Sequence, residues 1–100
     1  MIHVVAIITT LPGKREEVLG EFHKIVPLVH AEKGCIEYQP VIDAQDAGDM
    51  QSAAGADTFI VIEKWESMDD LHAHSAAEHM QAYGKKTGSL IADRRIHVLE

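Results

Sequence analysis

Two stretches of this chain are apolar on both sides of an extended backbone, and they restrict the possible folds more than any other feature. "IHVVAIITT" (2–10) is β-branched and almost continuously apolar. "TFIVIEKWE" (58–66) repeats the pattern, with Phe59, Val61, Glu63 and Trp65 on one face. Successive strand residues point to opposite faces, so a run apolar at nearly every position predicts a strand covered on both sides. Two further stretches alternate instead. In "CIEYQPVID" (35–43) Ile36, Tyr38, Pro40 and Ile42 point one way, Glu37 and Gln39 the other. A proline cannot donate to a ladder, so Pro40 puts this strand at an edge. "RRIHVLE" (94–100) alternates with Ile96 and Val98 on one face.

Between these strands the period changes to that of a helix. "LPGKREEVLGEFHKIVPLVHAEKG" (11–34) carries Val18, Leu19, Phe22, Ile25, Val26 and Val29 at helical spacing. Pro12 suits a first helical turn, and Glu16 and Glu17 suit the positive end of the helix. Pro27 removes a hydrogen bond and crowds the carbonyl of His23, which predicts a kink or an early stop. Gly34 is a natural terminator. In "SMDD" Ser67 caps a second helix, with Asp70 at the third position. That helix is expected to break near Ala76 and to resume as "AEHMQAYGKKTGSLIAD" (77–93), with Met80, Tyr83, Thr87, Leu90 and Ile91 along one side. "AQDAGDMQSAAGAD" (44–57) is small, polar and aperiodic, the pattern of a long loop or lid. The order β-α-β-β-α-β is ferredoxin-like, an α+β fold, here filling residues 1–100 as one domain. In that topology the first and third strands are central, and helices cover one side of the sheet. The other side stays apolar, which predicts a homodimer.

The composition removes several functions. Nine basic residues against sixteen acidic ones give a net charge of −7. Such a chain repels phosphate backbones and anionic membranes, and Lys85-Lys86 with Arg94-Arg95 is too thin a patch for nucleic acid. The longest apolar stretch, Val4 to Ile8, is far too short to cross a bilayer. The start of the chain reads as a strand and not as a signal peptide, so a cytoplasmic setting is expected. The lone cysteine, Cys35, fits a reducing compartment and reads as a buried strand residue rather than a nucleophile.

Trp65 is followed by His72, His74 and His79. On a regular helix His72 and His74 lie on opposite sides. His72 and His79 lie about 10 Å apart along the axis, too far to chelate one ion. No metal site is expected from them. His72 should be solvated. His74, three residues after Leu71, borders the buried side, and His79 sits one turn before Tyr83. A histidine at the edge of an apolar cavity can transfer protons near neutral pH. The plain alternative for His74 is a partly buried ring bonded to a backbone carbonyl. His3 and His97 read as ordinary positions on the first and last strands.

The segments "PGKREEV", "EKGCIEYQ" and "FIVIEKWESMDDLHAH" followed by "EHMQAY" resemble the antibiotic biosynthesis monooxygenase superfamily, in particular its quinol-monooxygenase-like branch. The resemblance spans nearly the entire chain. Its most specific part is a strand ending in Glu-x-Trp, a serine cap, then Leu-x-x-His and a second histidine five residues on. It implies a dimeric α+β barrel and oxygenation of quinols or phenols without metal, flavin or haem. Carried over by motif position, it makes His74 the base or a substrate hydrogen-bond partner. It makes Phe22, Tyr38 and Trp65 cavity walls, with His79 and Tyr83 at the rim, around a small aromatic or quinol-like ligand. The haem-degrading relatives carry an Asn, a Trp and a His where this chain has Ala6, His74 and Gly84, which argues against haem degradation. The loop 44–57 is longer than the usual hairpin connection of that family. A cofactor-free isomerase or lyase on the same scaffold, and a non-catalytic dimer binding a small apolar ligand, are the competing readings.

Overall fold

The computed structural model describes residues 1–100. Strand β1 (Ile2–Thr10) leads to helix α1 (Arg15–His30), strand β2 (Cys35–Val41) and strand β3 (Thr58–Trp65). Helices α2 (Met68–Ser75) and α3 (Glu78–Thr87) come next, and strand β4 (Ile91–Leu99) closes the sheet. The strands form one antiparallel sheet in the order β2-β3-β1-β4. The two doubly apolar strands are therefore central and the two alternating ones are edges, as their patterns require.

The inner side of the sheet packs under the helices. Ile2, Val4, Ala6 and Ile8 of β1 and Phe59, Val61 and Trp65 of β3 are buried there against Val18, Phe22, Ile25 and Val29 of α1. The outer side carries no helix. Val5 pairs with Ile62 and Ile7 with Ile60, which sets four half-buried apolar side chains in register across the two central strands.

The elements differ from expectation at several places, each with a local cause. Pro12 lies in the turn before α1, whose N-cap is Lys14. The helix runs through Pro27 to His30. Val29 beyond the proline is fully buried on the same stripe as Ile25, so tertiary packing outweighs a penalty of about 3 kcal/mol. In β2 the register shifts between Cys35 and Glu37. Cys35, half-buried, thus pairs with Trp65, while Ile36 bulges out and is exposed instead of sharing the side of Tyr38. Leu90 and Ile91 do not extend α3: a 3₁₀ turn at Gly88–Leu90 ends the helical run, and β4 begins at Ile91.

Two connections are shaped by aspartate carboxylates. Residues 42–57 contain only a 3₁₀ turn at Gly48–Met50. The neck of this loop is closed by the Asp43 carboxylate, which accepts from the N–H groups of Ala54 (2.9 Å) and Gly55 (3.0 Å). The turn between α1 and β2 needs Gly34, whose φ is +81°. A Cβ added there would collide with the Asp70 carboxylate.

Candidate active site

The sequence breaks the second helical segment without a glycine or proline. Ala76 ends α2, and Ala77, with φ −62° and ψ 144°, is the extended residue that starts α3. Ser67 fixes the start of α2: its Oγ accepts from the Asp70 N–H (3.1 Å) and its hydroxyl donates to Asp70 Oδ2 (2.9 Å). The cap is thus a serine–aspartate pair, anchored by the close approach of Gly34. The break has a consequence for two side chains. Five positions on an unbroken helix would set His74 and His79 about 140° apart. Here both reach the carboxylate of Glu32, in the turn after α1. His74 Nδ1 lies 3.0 Å from Glu32 Oε2 and 3.2 Å from Oε1; His79 Nε2 lies 2.7 Å from Oε2.

His74 is buried and packs between two rings. Trp65 lies against it with centroids 4.7 Å apart, and Tyr38 meets it edge to face at 5.2 Å. An ionised carboxylate only accepts hydrogen bonds, so the Nδ1–H of His74 donates to Glu32, and in the neutral ring Nε2 carries the free lone pair. Nε2 makes no hydrogen bond to the protein, yet no polar side-chain atom is sealed in the interior without a partner. That nitrogen opens on a cavity of about 470 Å³, within the usual range for small-molecule sites.

The cavity lies between the inner side of the sheet and helices α2 and α3, within one chain. Its wall is mostly apolar, from Val4, Ala6 and Ile8 of β1 to Leu71, Met80, Ile96 and Val98. Phe22 stacks on Tyr38 (5.3 Å, 13°) and meets Tyr83 edge to face (5.6 Å), and all three face the cavity. Burial pushes the Tyr38 phenol far above its ordinary range and the Tyr83 phenol in the same direction. The Tyr38 hydroxyl is directed at Met80 Sδ (4.0 Å).

Of the residues the sequence brought forward, Phe22, Tyr38, His74 and Tyr83 meet at this cavity. Trp65 and His79 do not line it. Trp65 is fully buried behind His74 and supports that ring instead of forming wall. His79 turns to Glu32 on the far side, because the extended Ala77 rotates α3 away from the line of α2. His72 is exposed, as expected, though it touches the cavity edge. The carbonyl partner considered for His74 is replaced by a carboxylate.

Two acidic residues were missed. Glu32 lies within "EKGC", beside the glycine that makes the turn, and no periodicity marks it. Glu63 left a readable signal: an acid on the face it shares with Phe59, Val61 and Trp65. It is buried on the cavity floor, and its Oε1 accepts from Trp65 Nε1 at 3.0 Å. Burial raises its pKa above the ordinary 4.5, opposed by the Trp65 hydrogen bond and by His74. Cys35, beside Glu32 and Glu63, is pushed up to about 11, chiefly by burial, which makes it a poor nucleophile.

A family model described as "Antibiotic biosynthesis monooxygenase" matches residues 1–86. The whole chain aligns at 39% identity over 102 residues with "Probable quinol monooxygenase YgiN" of Escherichia coli (strain K12), covering 97% of that protein. Among solved structures, PA3566 from Pseudomonas aeruginosa superposes with a TM-score of 0.80 at 26% identity, over 98% of this chain and 90% of that one. Rv0793 from Mycobacterium tuberculosis gives 0.81 at 20% identity, over 99% and 92%; at that identity the likeness concerns the fold alone.

Proposed function

This chain belongs to the antibiotic biosynthesis monooxygenase family, and from that premise we propose that it is a cofactor-independent monooxygenase of small quinols or related phenols, with His74 as the base. The observation that carries this reading is the imidazole itself. Its Nδ1 is held by a carboxylate, and its Nε2 faces an apolar cavity of about 470 Å³. A buried ring fixed in this way keeps one tautomer and one orientation, the arrangement a general base needs.

The chemistry derives from the cavity. Removing the hydroxyl proton leaves a phenolate, whose electron-rich ring can reduce O₂ directly. One oxygen atom enters the ring, and the other leaves as water with two hydrogens of the quinol, so the substrate supplies both electrons. Phe22, Tyr38 and Tyr83 hold the aromatic ring, and the apolar wall keeps bulk water from the reactive intermediate. The active molecule is a homodimer of single-domain chains working in the cytoplasm. Its partners meet through the helix-free side of the sheet, where Val5, Ile7, Ile60 and Ile62 form an apolar patch.

Glu63 favours a second reading. A carboxyl group with a raised pKa, sharing the cavity with His74, would let the protein move a proton from one substrate atom to another without oxygen, as an isomerase or lyase does. Oxygen uptake separates the two. The purified protein is expected to consume O₂ with members of a panel of benzo- and naphthohydroquinones. His74→Ala is expected to reduce kcat by about 100-fold or more, the usual contribution of a general base, with the fold intact. Wild-type rates equal to the buffer control across the panel would remove the oxygenase reading.

A further inference from the structure

Glu32 does more than orient His74. One carboxylate, largely buried, faces two imidazoles, and it is the sole hydrogen-bond partner that either ring nitrogen has in the protein. The side chain of His74 is 6% exposed and that of His79 24% exposed, with Glu32 at 14% between them. The three groups form a continuous path from the cavity to solvent. One carboxylate thus offers a single negative charge to two imidazoles. The other titratable groups beside them, Cys35, Tyr38 and Glu63, carry no positive charge in any protonation state. The nearby cation, Lys33, is exposed and directed at Asp70 (3.9 Å). The helix break at Ala77 brings both rings to Glu32, at the expense of the continuous hydrogen bonding a single helix would have kept.

We propose that Glu32, His74 and His79 form a charge relay in which a proton taken from the ligand at His74 is balanced by a proton lost from His79 to solvent. It rests on the reading of His74 as the base. The O–H bond of a bound phenol breaks, its electron pair stays on oxygen, and the proton joins His74 Nε2. His79 gives its Nδ1 proton to water and remains bonded to Glu32 through its Nε2–H. The carboxylate keeps its charge throughout, and the cluster holds one imidazolium before and after. The site therefore gains one negative charge, that of the phenolate beside the His74 imidazolium, and no second imidazolium; the released proton carries the balancing charge to solvent. The loss of the His79 proton does not depend on access through the cavity mouth. Glu32 and His79 act through His74 and are positioning residues, not catalytic ones.

The probe is 4-nitrophenol, at a pH where the free compound is mostly undissociated. Its absorbance separates phenol from phenolate, and calorimetry in two buffers of different ionisation enthalpy counts the protons released. Wild type is expected to bind it as phenolate with release of about one proton per probe. His79→Gln is expected to bind it as phenolate with release of none, and His74→Gln to form no phenolate. Glu32→Gln keeps an amide between the rings; it is expected to weaken phenolate binding about tenfold at an unchanged unfolding temperature. Proton release from His79→Gln equal to that of wild type would overturn the relay and leave His74 as base. Binding to wild type without phenolate formation would overturn both. A merely structural role for His79 would change the unfolding temperature and leave the proton count alone.

Discussion

Glu63 lies on the floor of the cavity, among the apolar side chains of β1 and β3. It is a buried acid with one hydrogen bond and no permanent cation beside it. Its folded-state pKa is raised, so the native protein disfavours the ionised form more than the unfolded chain does. Below the ordinary 4.5 both states are protonated, and the group imposes no penalty. As pH rises through the folded value the carboxylate must form in the interior, and stability falls. Glu63→Gln, which can still accept from Trp65, is therefore expected to melt at a higher temperature than wild type near neutral pH. The gap should close on acidification, and thermal melts across pH will show it; a gap that widens in acid would contradict the assignment. At this scale the sequence was only partly legible. His74 stood out because Leu71, three positions before it, marks the buried side. Glu32 did not, because its role comes from a turn that brings residue 32 to residues 74 and 79, a meeting no local pattern encodes.

Among the elements, the turn before β2 and the start of α2 depend on each other. Gly34 has a left-handed φ, and its α-carbon lies against the Asp70 carboxylate that completes the Ser67 cap. Gly34→Ala meets both obstacles. A loss of about 2 kcal/mol is expected, roughly 10 °C of melting temperature for a domain of this size. Gly20 is the control: it sits inside α1 with open space around it. Gly20→Ala should raise the melting temperature slightly, by the roughly 0.8–1.0 kcal/mol that separates the two residues in a helix. Circular dichroism melts measure both, and equal effects would refute the dependence on Gly34. The elements themselves were legible because each keeps one period: strands β1 and β3 apolar throughout, α1 with its stripe, α2 with its serine cap. The errors fell at ends and irregularities. The path of α1 through Pro27 is settled by burial of Val29, and the bulge at Ile36 by pairing with β3; neither is local information.

For the whole molecule, the free side of the sheet matters most. Val5, Ile7, Ile60 and Ile62 lie in register there, flanked by Gln39 and Val41 on one strand and Arg95 and His97 on the other. An apolar patch with a margin polar at Gln39, Arg95 and His97 suits a partner with the same surface. Wild type is expected to sediment at twice the 11.0 kDa of one chain. Ile62→Glu should sediment as a monomer, because the charge would face its own symmetry mate across an apolar contact. A monomeric wild type would refute the pairing. The free side was legible from sequence, since only two apolar faces on a central strand call for a second cover. The position of the cavity was not: the doubly apolar strands mark the free side as the one that needs a cover, yet the cavity at His74 lies on the opposite, helix-bearing side. The sheet therefore stands as a partition. If two copies join through that free side, each is expected to own its chamber outright, with the two chambers back to back and a crippled copy leaving the turnover of its twin undiminished.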